Sequence, residues 1–391
     1  MKLFLRILSY ILVAAVTFCC TVILIQPAVE PPTKLEELQA LIEERFIGEA
    51  DPTVMEDAAA DAMVNALGDR WSYYIPASQY AAYREQMNNA YVGIGITITA
   101  REDGLGLNIT QVNPGGSAAE AGIRPGDILS AADGKSTAEL GINGTSDVIR
   151  GDAGTQVEIT VLRDGEELTF TVERREIKIT VATGTMLEGS IGLVTNANFD
   201  SCCADETVAA IESLLEQGAT SLLFDVRNNP GGYKQELVKV LDYLLPEGPL
   251  FRSLHYNGEE TVDSSDADCL NLPMAVLVNG SSYSAAEFFA AAIREYEAGF
   301  VVGTQTCGKG YFQNTIRLSD GSAVGLSVGK YFTPKGVCLA DVGGLTPDVV
   351  MEVDQNTAAL IYAGLLEPEN DPQIQAAVEK LLADSALLNR N

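Results

Sequence analysis

Behind the Pro31-Pro32 pair, apolar residues recur at helical spacing. Leu35, Leu38, Leu41, Ile42 and Phe46 fall on one face, after a Thr33-x-x-Glu36 capping box. Two more helices are predicted, over 53–67, stopped by Gly68, and over 77–89, so that 33–90 reads as a helical segment. At Tyr91 the apolar period changes to two. Val157, Ile159 and Val161 alternate with polar residues, Arg163-Asp164-Gly165 turns the chain, and Leu168, Phe170 and Val172 alternate on the return. Pro114-Gly115-Gly116, a small-residue helix over 118–121 and Arg124-Pro125-Gly126-Asp127 complete a small β-rich domain over 91–175. From 176 to 353 short apolar strands (191–195, 221–226, 274–278) alternate with helices (206–217, 234–245, 284–296). That alternation predicts crossover connections and a mainly parallel sheet, and 354–391 reads as C-terminal helices. The fold class expected is therefore α/β multidomain.

Residues 1–28 stand apart. Lys2 and Arg6 precede an uncharged apolar run over 7–25, which at about 1.5 Å per residue nearly spans a hydrocarbon core of ~30 Å. With the basic residues first, the positive-inside rule puts the N-terminus in the cytoplasm. The expectation is a single-pass cell-membrane protein with the remainder extracytoplasmic. Gln26-Pro27-Ala28 is a poor cleavage site, which sets an uncleaved anchor ahead of a signal sequence. The formal charge is −29, from 25 Lys+Arg against 54 Asp+Glu. Such a chain is repelled by nucleic acid, so no nucleic-acid partner is expected. Seven cysteines include Cys19 and Cys20 in the apolar run; the other five show no metal-binding spacing. They read as buried thiols with one disulfide allowed, and neither metal nor cofactor is expected.

Candidate chemistry lies where strands end, because ligands of open α/β sheets sit at carboxyl ends of strands. After 274–278 the chain passes through Asn279-Gly280-Ser281-Ser282-Tyr283 into Ser284-Ala285-Ala286-Glu287 and an alanine-rich helix. Ser-x-x-Glu is a capping box, and most such serines only cap. This one also sits at a helix N-terminus, where free N–H groups favour a developing oxyanion. A serine nucleophile needs a base, and the sole histidine, His255, lies on a stretch that reads as a strand or its exit. Lysine can replace histidine where burial lowers its pKa. Lys309 sits between two glycines, with Cys307 before and Tyr311-Phe312 after it, a setting that favours desolvation. Gln313 follows at an even spacing, so on an extended segment both side chains share a face.

Taken together, Ser284-Ala285-Ala286-Glu287, Gly308-Lys309-Gly310 twenty-five residues after the serine, and Gln313 resemble the motifs of the carboxyl-terminal processing protease family. Asp225-Val226-Arg227-Asn228-Asn229-Pro230-Gly231-Gly232, the segments 331–336 and 345–349, and Gly68-Asp69-Arg70-Trp71-Ser72 are similar to further family segments, in family order. The resemblance implies a serine endopeptidase with a catalytic fold like that of ClpP and the crotonases. It implies Ser284 as nucleophile, Lys309 as general base and Gln313 holding the lysine. The oxyanion hole would be the N–H of Ala285 with that of Gly231 or Gly232. Residues 91–175 then look like a PDZ domain, with Gly93-Ile94-Gly95-Ile96 as the loop that grips a free C-terminus. The implied partners are protein or peptide substrates with free C-termini and the membrane, with a homodimer allowed. Two readings of other classes stand beside this one, an inactive membrane-tethered PDZ scaffold and an acyl-CoA enzyme. Departures from the family pattern are Arg70-Trp71, where Pro-Tyr is favoured, Ala286 for a frequent second serine, and Cys307 at a site usually aromatic.

Overall fold

The computed structural model describes residues 2–25, 31–101 and 103–388. They form two compact units, Met1–Ala66 and Leu67–Asn391. The first holds the helices Lys2–Ile25, Lys34–Arg45 and Pro52–Asn65. The capping box forms in both directions, Glu36 N–H to Thr33 Oγ1 (3.3 Å) and Thr33 N–H to Glu36 Oε2 (2.6 Å). Leu35, Leu38, Leu41 and Phe46 all remain exposed, so the apolar period fixed the helix without burying its face. Among the described residues no helix is long and apolar enough to cross a membrane. The anchor expected over 1–28 thus has no counterpart there; 26–30 and side chains at several positions within 1–25 lie outside the described residues.

In the second unit, Ala90–Gly93 pairs antiparallel with Arg175–Lys178, bringing together the entry and exit of the β-rich domain. Between them a sheet runs in the order Ile96–Ala100, Leu107–Val112, Ile128–Ala132, Gln156–Arg163, Glu166–Glu173. The expected hairpin is present with Arg163 opposite Glu166, turning on Asp164 (φ 54°) and Gly165 (φ 84°). Two positive φ values match the right-handed twist of the strands, which is why Asp-Gly suits the position. Val157, Ile159 and Val161 are fully buried while Glu158 is exposed, as the period of two requires. Asp127, 2% exposed at its side chain, accepts both Arg163 Nε and Nη2 at 2.7 Å and locks the far strand.

The α/β domain carries a six-stranded sheet in the order Ala182–Leu187, Ile191–Asn196, Ser221–Asp225, Met274–Val278, Gly299–Gly303, Val349–Val350. Only the first pair is antiparallel, as the alternation of strands and helices predicts. Alternate residues serve opposite faces. Leu222, Phe224, Met274, Val276 and Val278 pack under the helices Cys203–Glu216, Lys234–Leu244 and Ala285–Glu295. Leu223, Ala275 and Leu277 meet Ile374, Ala377 and Leu381 of the helix Pro372–Leu388 on the other side. The helix Ala285–Glu295 is buried all round from Ala285 to Ile293, which explains its run of alanines. A second, antiparallel sheet contains Gly248–His255, Glu260–Ser265, Tyr311–Arg317 and Ala323–Phe332. Its edge strand, Tyr73–Ile75, was not expected, because three residues are too few to show a period.

Arg227 ties the first sheet to the C-terminal helix. Its guanidinium reaches Asp225 Oδ2 (2.6 Å), Asp371 Oδ2 (2.8 Å) and Gln373 Oε1 (2.9 Å), and the arginine and Asp371 side chains are 4% and 2% exposed. Removing one member leaves a buried charge uncompensated. Arg227→Ala is expected to destabilise the fold by about 3–5 kcal/mol, read as a lower urea midpoint.

Candidate active site

Two parallel strands deliver their C-terminal loops to one place. Ser221–Asp225 leads to Arg227-Asn228-Asn229-Pro230-Gly231-Gly232, and Met274–Val278 leads to Asn279–Ser284. Side-chain amides stitch the loops together: Asn228 N–H donates to Asn279 Oδ1 (3.0 Å) and Asn279 Nδ2 to Asn228 Oδ1 (2.9 Å). Ser282 Oγ donates to Val226 O (2.7 Å), and Tyr283 N–H to Asn229 O (3.1 Å). Ser284 then turns the chain into the helix with φ 58° and ψ −125°, a conformation costing an L residue about 1–3 kcal/mol. A Cβ on Gly231 (φ +87°) would lie 2.8 Å from Ala285 N, Ser284 Cβ and Tyr283 O. Only glycine lets the two turns approach so closely.

Gly231 N–H is committed to Asn229 Oδ1 (2.8 Å). Gly232 N–H and Ala285 N–H have no hydrogen-bond partner among the described residues. Phe199 receives Tyr233 N–H and donates to Gly231 O, so it pins the glycine turn from the opposite edge. Of the three groups expected to form the oxyanion hole, the geometry therefore leaves Gly232 and Ala285 available and occupies Gly231.

The serine and lysine segments meet on Glu287. Its carboxyl is fully buried; Oε2 accepts Ser284 N–H (2.9 Å) and Lys309 N–H (2.9 Å), while Oε1 accepts Gly308 N–H (2.7 Å) and the Thr306 hydroxyl. Burial raises its pKa, and the four hydrogen bonds oppose that rise. The Ser-x-x-Glu motif read as a capping box is thus half of a larger clasp. Its second half comes from a loop about twenty residues away that a local motif does not show.

Lys309 is half-buried, and its pKa is lowered, first by desolvation, with Cys307, Asp69 and Glu287 pulling the other way. Nζ lies 4.8 Å from the Trp71 ring centroid and 5.8 Å from that of Tyr283, with no hydrogen bond among the described residues. Arg70 stacks on the other contact of Trp71 at 4.1 Å and donates to Cys307 Sγ (2.9 Å). The segment that holds Arg70 and Trp71 therefore walls the lysine. Gln313 does not reach it: Nε2 donates to Ser327 Oγ (2.9 Å) and Tyr311 O (3.3 Å). Lys309 precedes the strand Tyr311–Arg317, so the two residues do not share one extended segment, although both line the same cavity.

A cavity of about 910 Å³ collects these parts. Ser284, Lys309, Gln313, Gly231 and Gly232 all line it, with Tyr283 and Tyr331. Burial raises the Tyr331 pKa, partly offset by a hydrogen bond with the Ser284 side chain. His255 lines the same cavity, edge-on to Phe312 at 4.8 Å between ring centroids. The expected carboxylate loop Gly93-Ile94-Gly95-Ile96 lies elsewhere, leading into Ile96–Ala100, the edge strand of the small sheet. Ile94 and Gly95 N–H have no backbone partner there, while their carbonyls receive Ala118 and Asn113. All five cysteines beyond the N-terminal run are free thiols, so the allowed disulfide is absent among the described residues.

Comparison with known proteins agrees with this architecture. Residues 190–351 match the model for peptidase family S41, and 109–163 match that for a PDZ domain. The chain thus carries a PDZ domain ahead of an S41 peptidase domain, and in both it is similar to carboxyl-terminal processing proteases. It is 28% identical over 323 residues to the CtpA-like serine protease of Staphylococcus aureus strain N315, covering 82% of this chain but 64% of that protein. The chain therefore spans slightly under two thirds of the length of that relative. The solved structure of an S41 protease from Bacteroides fragilis NCTC 9343 matches with a TM-score of 0.50 at 16% identity, covering 92% of this chain and 99% of the other. The photosystem II D1 C-terminal processing protease matches with a TM-score of 0.47 at 29% identity, covering 81% and 86%.

The clasp makes a direct prediction. Glu287→Gln turns one acceptor into an NH2 group facing N–H donors, and is expected to destabilise the fold by about 2–3 kcal/mol. Labelling of Ser284 by a serine-reactive phosphonate should slow at least about tenfold with it, measured against the unaltered protein.

Proposed function

We propose that the chain is a serine endopeptidase that cleaves protein substrates recognised through their C-termini, with Ser284 as nucleophile and Lys309 as general base. The observation that carries this reading is the Glu287 carboxylate. One oxygen receives the backbone N–H groups of both residues, so the serine and the lysine loop share an anchor at the wall of one cavity. In the reaction Lys309 Nζ takes the Ser284 hydroxyl proton, Oγ attacks the scissile carbonyl, and the lysine ammonium protonates the leaving amine. Water then hydrolyses the acyl-enzyme by the reverse proton path. The oxyanion is received by Gly232 and Ala285 N–H at the helix N-terminus. Catalytic hydrogen bonds tighten only with substrate in place, so the looser Ser284–Lys309 geometry is compatible with this role. Gln313 holds Ser327, whose N–H in turn donates to Ser72 Oγ beside Trp71 in the wall of the lysine. A parallel sheet covered by helices on both faces supports the crotonase-like reading of this domain.

The PDZ domain binds the substrate tail as an added strand along Ile96–Ala100 beside the helix Thr137–Ile149, and gates the peptidase site. The membrane tether over 1–28, with the peptidase extracytoplasmic, is supported by the Lys2- and Arg6-led apolar run of the sequence alone; recovery of full-length protein in the soluble fraction would refute it. An inactive scaffold does not account for two free N–H groups beside a strained serine.

Ser284→Ala and Lys309→Ala should each lower hydrolysis of an unstructured protein by at least about a thousandfold. Because the lysine acts as the neutral amine, kcat/KM should rise with pH through an inflection below the ordinary lysine range, which is where burial moves its pKa. A rate independent of pH across that interval would exclude Lys309 as the base. Amidating the substrate C-terminus should raise KM about tenfold with kcat kept, as steady-state kinetics will show.

A further inference from the structure

One carboxyl at the cavity has no part in the chemistry above. Asp200 follows Phe199 and is 6% exposed. Its backbone is held, N–H to Asn198 Oδ1 (2.9 Å) and O from Cys203 N–H (3.1 Å). Its side chain is not: Oδ1 is sealed from solvent with no hydrogen-bond partner. Yet the residue lines the cavity together with Gly232, Tyr233, Tyr283 and Ser284, and is the one acidic residue among those lining it. A buried carboxylate without a partner is disfavoured, so burial favours the protonated form. Desolvation pushes its pKa up to about 7.

The groups around it do not supply a counter-charge. Lys234, at the start of its helix, is paired with Asp263 (2.8 Å). Glu206 on the helix Cys203–Glu216 receives Val181 and Ala182 N–H, and Glu236 receives Ala204 N–H and Lys239. Cys203, beside it, is a buried thiol. Tyr233 and Tyr283 are phenols with raised pKa, burial being the main cause and Asp200 a further one. Arg84, His255 and Lys309 line the same cavity.

We propose that Asp200 is a substrate-binding residue of this site, a carboxyl that donates an O–H from Oδ2, the oxygen not sealed in the interior, to a backbone carbonyl of the bound peptide beside Gly232. A protonated carboxyl offers the donor that a carboxylate lacks, and a backbone carbonyl is its complement. A basic substrate side chain is a poorer occupant, because it would enter a cavity already lined by Arg84 and Lys309. The inference rests on the peptidase reading, which supplies the peptide.

The test is binding to the Ser284→Ala protein of a fluorescein-labelled, unstructured Ala/Ser/Leu peptide with a free C-terminus, by anisotropy from pH 5.5 to 8.5. With Asp200 intact, affinity should fall about tenfold as pH rises through 7. Asp200→Asn, whose amide keeps a donor and an acceptor, should hold the low-pH affinity throughout. Asp200→Ala, checked for folding by its melting curve, should bind about tenfold more weakly at pH 5.5 and lose the pH dependence. A pH dependence that persists in Asp200→Asn overturns the proposal, as does unchanged affinity in Asp200→Ala. So does a preference for Lys- or Arg-bearing peptides that Asp200→Asn abolishes. Hydrolysis of the peptide by the Ser284 protein separates the two readings. Cleavage with flat binding refutes the role of Asp200 alone, and the expected binding without cleavage refutes the peptidase reading alone.

Discussion

The site depends on one buried carboxyl. Glu287 has no exposure and four donors, two on each oxygen. A carboxyl this deep is tolerable only if its acceptors are filled, and the donors that fill them come from the serine turn and from the loop around Lys309. The clasp therefore holds two segments that chain connectivity alone would leave independent. Satisfying a helix N-terminus and assembling a nucleophile with its base become one requirement.

Around this anchor the backbone is arranged for close approach. Asparagine amides bind the loops after two adjacent parallel strands, and Gly231 lets the turns meet where any Cβ would collide. The same contacts hold Ser284 at a positive φ, so strain at the serine is sustained by packing that over-determines it. They also divide the N–H groups of the glycine turn, one consumed by Asn229 and the next left open to the cavity.

The lysine's setting is aromatic as well as desolvated. Trp71 and Tyr283 approach Nζ, and Arg70 bridges Trp71 to Cys307. Ring faces favour the ammonium while burial favours the amine, so the two effects oppose each other at the group that must exchange a proton. Arg70, Trp71 and Cys307, the residues that depart from the resembled motifs, all meet at this place.

Local pattern was sufficient for the elements. The capping box at Thr33, the hairpin through Asp164-Gly165, the parallel strands and the buried alanine-rich helix follow from spacing, because period and turn chemistry are properties of neighbouring residues. Strand-end turns and short motifs also singled out Ser284, Lys309 and Gly232, which the fold brings to one cavity. Tertiary structure alone decided what touches what. The second role of Glu287 and the placement of Trp71 against the lysine join segments far apart in sequence. The partners of Gln313, Ser327 and Tyr311, were likewise settled by strand pairing with Ala323–Phe332, which counting along the chain does not show.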